Sequence, residues 1–290
     1  MSAYTGKIGN GYIIISTFAS MGIILLILCV LFFNSFAAIR DVGWSLFTLT
    51  WNPPHAQFGI LPMFYGSLAV TVISLVIAVP LGIFTAIFTS EILHPGYRFS
   101  VKAFLELLAG IPSIIYGLIG VAFFSVWVGE LFHLQSGRTI FTAAVLLSIM
   151  ILPTIITLCD DAIHRVPQKY REAAKGLGLC KHEVIISSVL PIAKPDIIGA
   201  VVLALGRALG ETMAVMLVIG SIDKIPAPFY NLLAPGQTIT SKLGREITGS
   251  AFGSLHFSAM IFMGIMLLVI VLALTLIAQY FSKSGQRLYE

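Results

Sequence analysis

The chain has 290 residues, 58% of them hydrophobic and 10% charged, with a mean hydropathy of +0.98. Soluble domains carry roughly 25% charged residues, so a water-soluble globule is excluded and the bilayer is the natural solvent. The formal net charge of +4 reports membrane topology here and gives no ground for nucleic-acid binding.

A spanning helix needs about 20 mostly apolar residues. Such runs lie at about 13–33, 63–89, 107–128, 139–158, 197–222 and 256–281. They predict an all-α, polytopic membrane protein of six transmembrane helices, with no sheet edge open to lipid. The first run, about 21 residues long, exceeds the usual 7 to 15 of a signal-peptide core. It reads as a retained helix despite the faint cleavage motif Ser35-Phe36-Ala37. Residues 1–62 then form an N-terminal segment with the first helix and an outer loop, and residues 63–290 form a core of five helices. With the N-terminus inside, eleven of the 17 Lys and Arg residues fall on the inner side and five on the outer, which puts both termini in the cytoplasm. Trp44, Trp51 and Trp127 fall near outer span ends, as interfacial anchors do.

Pro80, Pro112, Pro153 and Pro195 interrupt spans two to five and suggest kinks. Glu106 and Glu130 bracket span three. Cys29, Cys159 and Cys180 show no pairing or metal-ligand spacing, and the six histidines read as surface or interfacial residues.

The one substantial inner loop is 159–191, between spans four and five. Pro167 suits a first helical position, and Gly176 and Gly178 suit a helix end. Between them Tyr170, Ala173, Ala174 and Leu177 recur at i, i+3, i+4 and i+7. A second short helical pattern begins at Lys181 and ends at Leu190-Pro191. Taken alone, this loop fits two readings equally: a solvated linker or basic helix lying on anionic lipid, and a docking knob for a cytoplasmic partner whose alanines permit close approach.

The spacing Glu172-Ala173-Ala174, then Gly178, then Leu190-Pro191 resembles the E-A-A loop of ABC importer permeases, with Ser188 where that family usually has Ile. Three further stretches, L-L-A-G-I-P-S-I-I-Y-G (107–117), I-M-I-L-P-T-I (149–155) and G-R-A-L-G-E-T-M-A-V (206–215), resemble the phosphate-specific branch, and the last its C-type subunit in particular; A-P-G-Q-T-I-T (234–240) fits as well. The resemblance implies a type I ABC importer permease fold in the cell membrane of a prokaryote. It also implies that Tyr170, Glu172, Ala173, Ala174, Gly178, Leu190 and Pro191 serve coupling to an ATPase. The implied partners are a second, non-identical permease, two ATPase subunits and an extracytoplasmic phosphate-binding protein. The chain itself has no G-x-x-x-x-G-K-[ST] phosphate-cradling motif. ATP and magnesium therefore belong to the partner ATPases, and this chain carries no cofactor, metal or catalytic residue.

Arg207 and Glu211 stand inside the fifth apolar run. At 1.5 Å per residue, Arg207 lies roughly 18 Å beyond Pro195, near the middle of a ~30 Å core. A charge at that depth costs roughly 2.5 to 3.5 kcal/mol, which excludes a lipid-facing position. The i, i+4 spacing lets the two meet on one face, and Gly206 and Gly210 form an edge that a second helix can approach. Three readings stand. The pair only pins helix packing; or Arg207 meets a passing anion while Glu211 holds it and limits its affinity, with Thr212 beside them in the pathway; or Glu211 carries a proton. The reading that combines loop and pair is a phosphate-importer permease working by alternating access. The alternatives are a secondary ion-coupled anion transporter, an ABC permease for another oxyanion, and a membrane scaffold without a pathway.

Overall fold

The computed structural model describes residues 2–286. α1 (Ser2–Asp41) stands beside the last helix, α12 (Leu255–Gln286), and touches little else. None of its most apolar window is buried within the chain, which lipid tolerates and water does not. The ribbon of β1 (Trp51–Asn52) and β2 (Gln57–Phe58), antiparallel to each other, closes the connection to α2 (Leu61–Ile87). α2 runs through Pro80 and ends in a π-turn, Phe88–Ile92. α3 (Pro95–Ala109) follows, then α4 (Ser113–Ile119) and α5 (Ser125–Leu131), which a π-turn at Gly120–Phe124 joins into one span. α6 (Ile140–His164), α7 (Gln168–Gly176) and α8 (Lys181–Val184) lead to α9 (Leu190–Gly210). α10 (Met213–Val218) and α11 (Ile239–Glu246) complete the set.

Among the described residues six helical segments are long and apolar enough to cross a membrane, as the six runs predict. Their limits differ in four places. The third span starts at Ser113 rather than near residue 107, because Gly110 and Pro112 break the helix. Proline disfavours helical geometry in the residue before it, and Leu107 belongs to α3 instead. Pro80, Pro153 and Pro195, by contrast, lie inside helices that continue through them. α6 runs to His164, so Cys159 and Asp160 are buried helix residues and not the start of a loop. The segment from Lys181 does not stop at Leu190-Pro191; through a π-turn it continues as one helix, Lys181–Gly210. The fifth span, expected unbroken to residue 222, ends at Gly210.

α6 is the centre of the bundle, with two-thirds of its most apolar window buried, against α2, α9 and α10. The pairing of α2 with α6 is the most extensive in the molecule. At Gly82 an added Cβ would lie 2.5 Å from the Ile155 side chain, so the two helices meet at close range there.

The segment 234–240 folds back into the bundle. Gly236 N–H donates to the Ile219 carbonyl at 2.9 Å, and Ile239 N–H donates to the Ser67 hydroxyl on α2 at 2.9 Å. At Gly66 a Cβ would fall 2.0 Å from the Gln237 carbonyl oxygen, so only glycine admits that backbone. α11, placed by this segment, carries Lys242, whose side chain is 2% exposed. Its Nζ lies 2.5 Å from Asp223 and from Glu246 and 5.0 Å from the centre of the Trp51 ring. Trp51 is therefore a packing residue of this cluster and not a membrane anchor, while Trp44 and Trp127 remain exposed. His256, expected at a surface or an interface, is half-buried there and faces Glu246 at 3.3 Å.

Candidate functional site

The sequence places Arg207 and Glu211 on one helical face, and the structure parts them. α9 ends at Gly210; Glu211 is extended (φ −68°, ψ 125°), and α10 restarts at Met213. The Arg207 Nη1 donates to the Thr154 hydroxyl of α6 at 2.7 Å. The Glu211 carboxylate instead accepts from the Ala214 N–H at 3.2 Å, in the first turn of α10. Arg207–Glu211 is not among the ion pairs of the described residues. An i, i+4 contact needs a helix that continues, and this one does not; Thr154 holds Arg207 in place of Glu211. The break itself is fixed from outside, since the Thr240 hydroxyl donates to the Glu211 carbonyl at 2.7 Å. Thr212 sits in the break with its hydroxyl toward the Gly210 carbonyl at 3.2 Å.

Arg207 is exposed within the chain, as are Leu203 and Gly210. Nothing lies within 4 Å of a Cβ built at Gly199, Gly206 or Gly210. α9 therefore presents an open stripe with a guanidinium on it. Toward the end of the bundle that carries the 160–191 loop, a cavity of about 370 Å³ adjoins the same stripe at Gly199 and Leu203 and is bounded by Asp161, Arg165 and Asp196. The guanidinium has five N–H donors in a fixed fork, and the bond to Thr154 occupies one.

In the 160–191 loop, Pro167 is the N-cap of α7 rather than its first helical residue. Tyr170, Glu172 and Ala173 are exposed, Leu177 is 83% exposed, and Ala174 is turned inward and buried. Of the expected stripe, three members thus form an outward surface and the fourth anchors the helix. Gly178 holds φ +84° just past the helix end, the left-handed position that closes helices and favours glycine. Its N–H donates to the Lys175 carbonyl at 2.9 Å. Leu190 and Pro191 are half-buried at the start of α9, remote from the outward face of α7 in chain terms but tied to it through the Ser188–Tyr170 contact.

Cys180, His182 and Glu183, which the sequence offered no reason to group, bring their polar atoms within 4.8 Å. The capping box of α8 accounts for this: the Cys180 thiol donates to Glu183 at 2.8 Å, and Glu183 also accepts from the Cys180 N–H.

Sequence reasoning missed three groups. Thr154 and Thr240 support Arg207 and the break, and a threonine in an apolar stretch carries no signal of its partner. Arg98 reaches Asp160 at 2.7 Å, with Thr89 donating to the other carboxylate oxygen at 3.0 Å. Arg171 reaches Glu91 at 2.6 Å. A signal did exist for the second group: Asp160 and Asp161 lie in the closing turns of α6, where the helix dipole disfavours anions, so cations had to face them.

Residues 78–284 match the family described as binding-protein-dependent transport system inner membrane component. The phosphate transport system permease protein PstC of Mesorhizobium japonicum is 38% identical over 86% of this chain and 81% of its own length. PstC 1 of Mycobacterium tuberculosis is 32% identical over 94% of this chain and 93% of its own. Among solved structures, a bacterial alginate ABC transporter in complex with its pentasaccharide-bound periplasmic protein superposes with a TM-score of 0.60 at 19% identity, covering 87% of this chain and 86% of that one. The MetNI methionine ABC transporter, in an inward-facing conformation, gives 0.59 at 14%, covering 81% and 99%. The fold is that of type I ABC importer permeases, and the chain belongs to the family of multi-pass inner-membrane components of binding-protein-dependent transport systems.

Proposed function

We propose that the chain is the C-type permease subunit of an ATP-driven importer for inorganic phosphate. What carries the reading is identity of 32 to 38% with phosphate permeases over more than four-fifths of the chain, combined with a guanidinium on the open stripe of α9. Both termini face the cytoplasm. The open stripe of α9 faces a second, non-identical permease across the pathway. Phosphate arrives from an extracytoplasmic binding protein and meets Arg207, whose planar fork matches phosphate oxygens. Thr212 lies beside it in the break. Glu211, held on the first turn of α10, keeps a fixed negative charge near the path, so that a dianion is released and not trapped. Two ATPase subunits, which carry ATP and magnesium, seat the outward face of α7 (Tyr170, Glu172, Ala173) and drive alternating access. The chain itself performs no covalent chemistry.

The reading is tested in proteoliposomes holding the whole complex. Phosphate uptake should need ATP inside and binding protein outside, and should survive collapse of the proton gradient. Uptake driven by a proton gradient without ATP would overturn it in favour of an ion-coupled carrier.

A further inference from the structure

Arg171 belongs to α7 but does not share its outward face. Its side chain is 12% exposed, turned back toward the bundle, and it makes three contacts. One guanidinium nitrogen donates to the Ile163 carbonyl at 2.9 Å and to Glu91 at 2.6 Å; the other donates to the Val166 carbonyl. Ile163 and Val166 bracket the end of α6, where the last carbonyls of a helix lack intrahelical partners and carry its negative pole. Glu91, 13% exposed, lies in the π-turn that ends α2. A single side chain from the short loop helix therefore clasps the ends of the two most closely paired spans.

Short helices of this kind are not stable alone, and α7 is otherwise attached by Ala174, by Leu179 and by the contact between Ser188 and Tyr170. Packing contacts of that sort slide, whereas a guanidinium with three oriented acceptors holds position and direction. We infer that Arg171 and Glu91 form the mechanical link through which movement of α7 is passed to α2 and α6, a positioning role that rests on the importer reading above. An isolated brace for folding would affect how much complex assembles. A link would set how much phosphate moves for each ATP hydrolysed.

The experiment measures both quantities in proteoliposomes of the full complex, with phosphate and binding protein outside and ATP inside. Glu91→Ala should leave ATPase copurification unchanged and lower phosphate moved per ATP by about tenfold, a coupling change of the usual size. Glu91→Gln, which keeps an acceptor oxygen, should fall between, and Glu91→Asp should recover most of the ratio. Arg171→Gln tests the same link from α7. An unchanged ratio in both Glu91→Ala and Arg171→Gln overturns the inference. So does loss of assembly in both, which reduces the contact to a brace. If the unaltered complex shows no ATP-dependent uptake, it is the importer reading that fails.

Discussion

At the two ends of the bundle Lys242, Arg98 and Arg171 each lie 2.5 to 2.7 Å from a carboxylate, whereas Arg207, in the last turn of α9, lies against a threonine hydroxyl. The end clusters are closed: Lys242 is 2% exposed, and its charge is matched by Asp223 and Glu246. Arg207 is open, and its nearest carboxylate in sequence is engaged elsewhere. A buried charge is costly unless matched, so the clusters read as framework. An unmatched charge on an open stripe is free to meet a partner outside the chain, and this difference is what supports the proposal that Arg207 lines the pathway.

The largest effect should come from opening a closed cluster. Lys242→Met strands Asp223 and Glu246 and removes the cation from the Trp51 ring. Breaking one side of a buried pair typically costs 3 to 5 kcal/mol; these carboxylates keep partial contact with water, so about 3 is expected, read as a fall in the melting temperature of the solubilised complex. Glu211→Leu removes the acceptor of the Ala214 N–H and should cost less, about 1 kcal/mol, the usual net value of a hydrogen bond, measured in the same way. A double-mutant cycle on Arg207→Met and Glu211→Leu sharpens the contrast. Residues that share no contact add within about 0.5 kcal/mol, and a larger interaction energy would mean that the two do pair. Smallest of all, Trp44→Ala on the connection between α1 and α2 should stay within about 0.5 kcal/mol.

The number and rough placement of spans were legible in the sequence because each is a long apolar run, and length against bilayer thickness decides the matter. The E-A-A loop was legible as spacing, and α7 forms where its Pro167 and Gly178 signals place it. The break at Glu211 was not. Nothing between residues 206 and 215 carries a helix-stopping proline; the chain turns there because Thr240, 29 residues on, donates to the Glu211 carbonyl and the Glu211 carboxylate accepts from the Ala214 N–H. Such partners are brought together by the 234–240 segment folding inward, which no local pattern reports. The run-on from α8 to α9 was missed for the opposite reason. Leu190-Pro191 carries the local signal of a helix end, but the π-turn at Ile185–Val189 leads the helix through it.

The central claim is that Arg207 is an open charge that meets the transported anion. It is tested most directly by Arg207→Met in the reconstituted complex, with phosphate uptake and binding-protein-stimulated ATP hydrolysis measured side by side. Losing a charged hydrogen bond made only to the passing ligand removes about 1.5 to 3 kcal/mol. The account predicts normal assembly, retained stimulated hydrolysis and uptake reduced by about 10- to 100-fold. Near-normal phosphate uptake by Arg207→Met would contradict it.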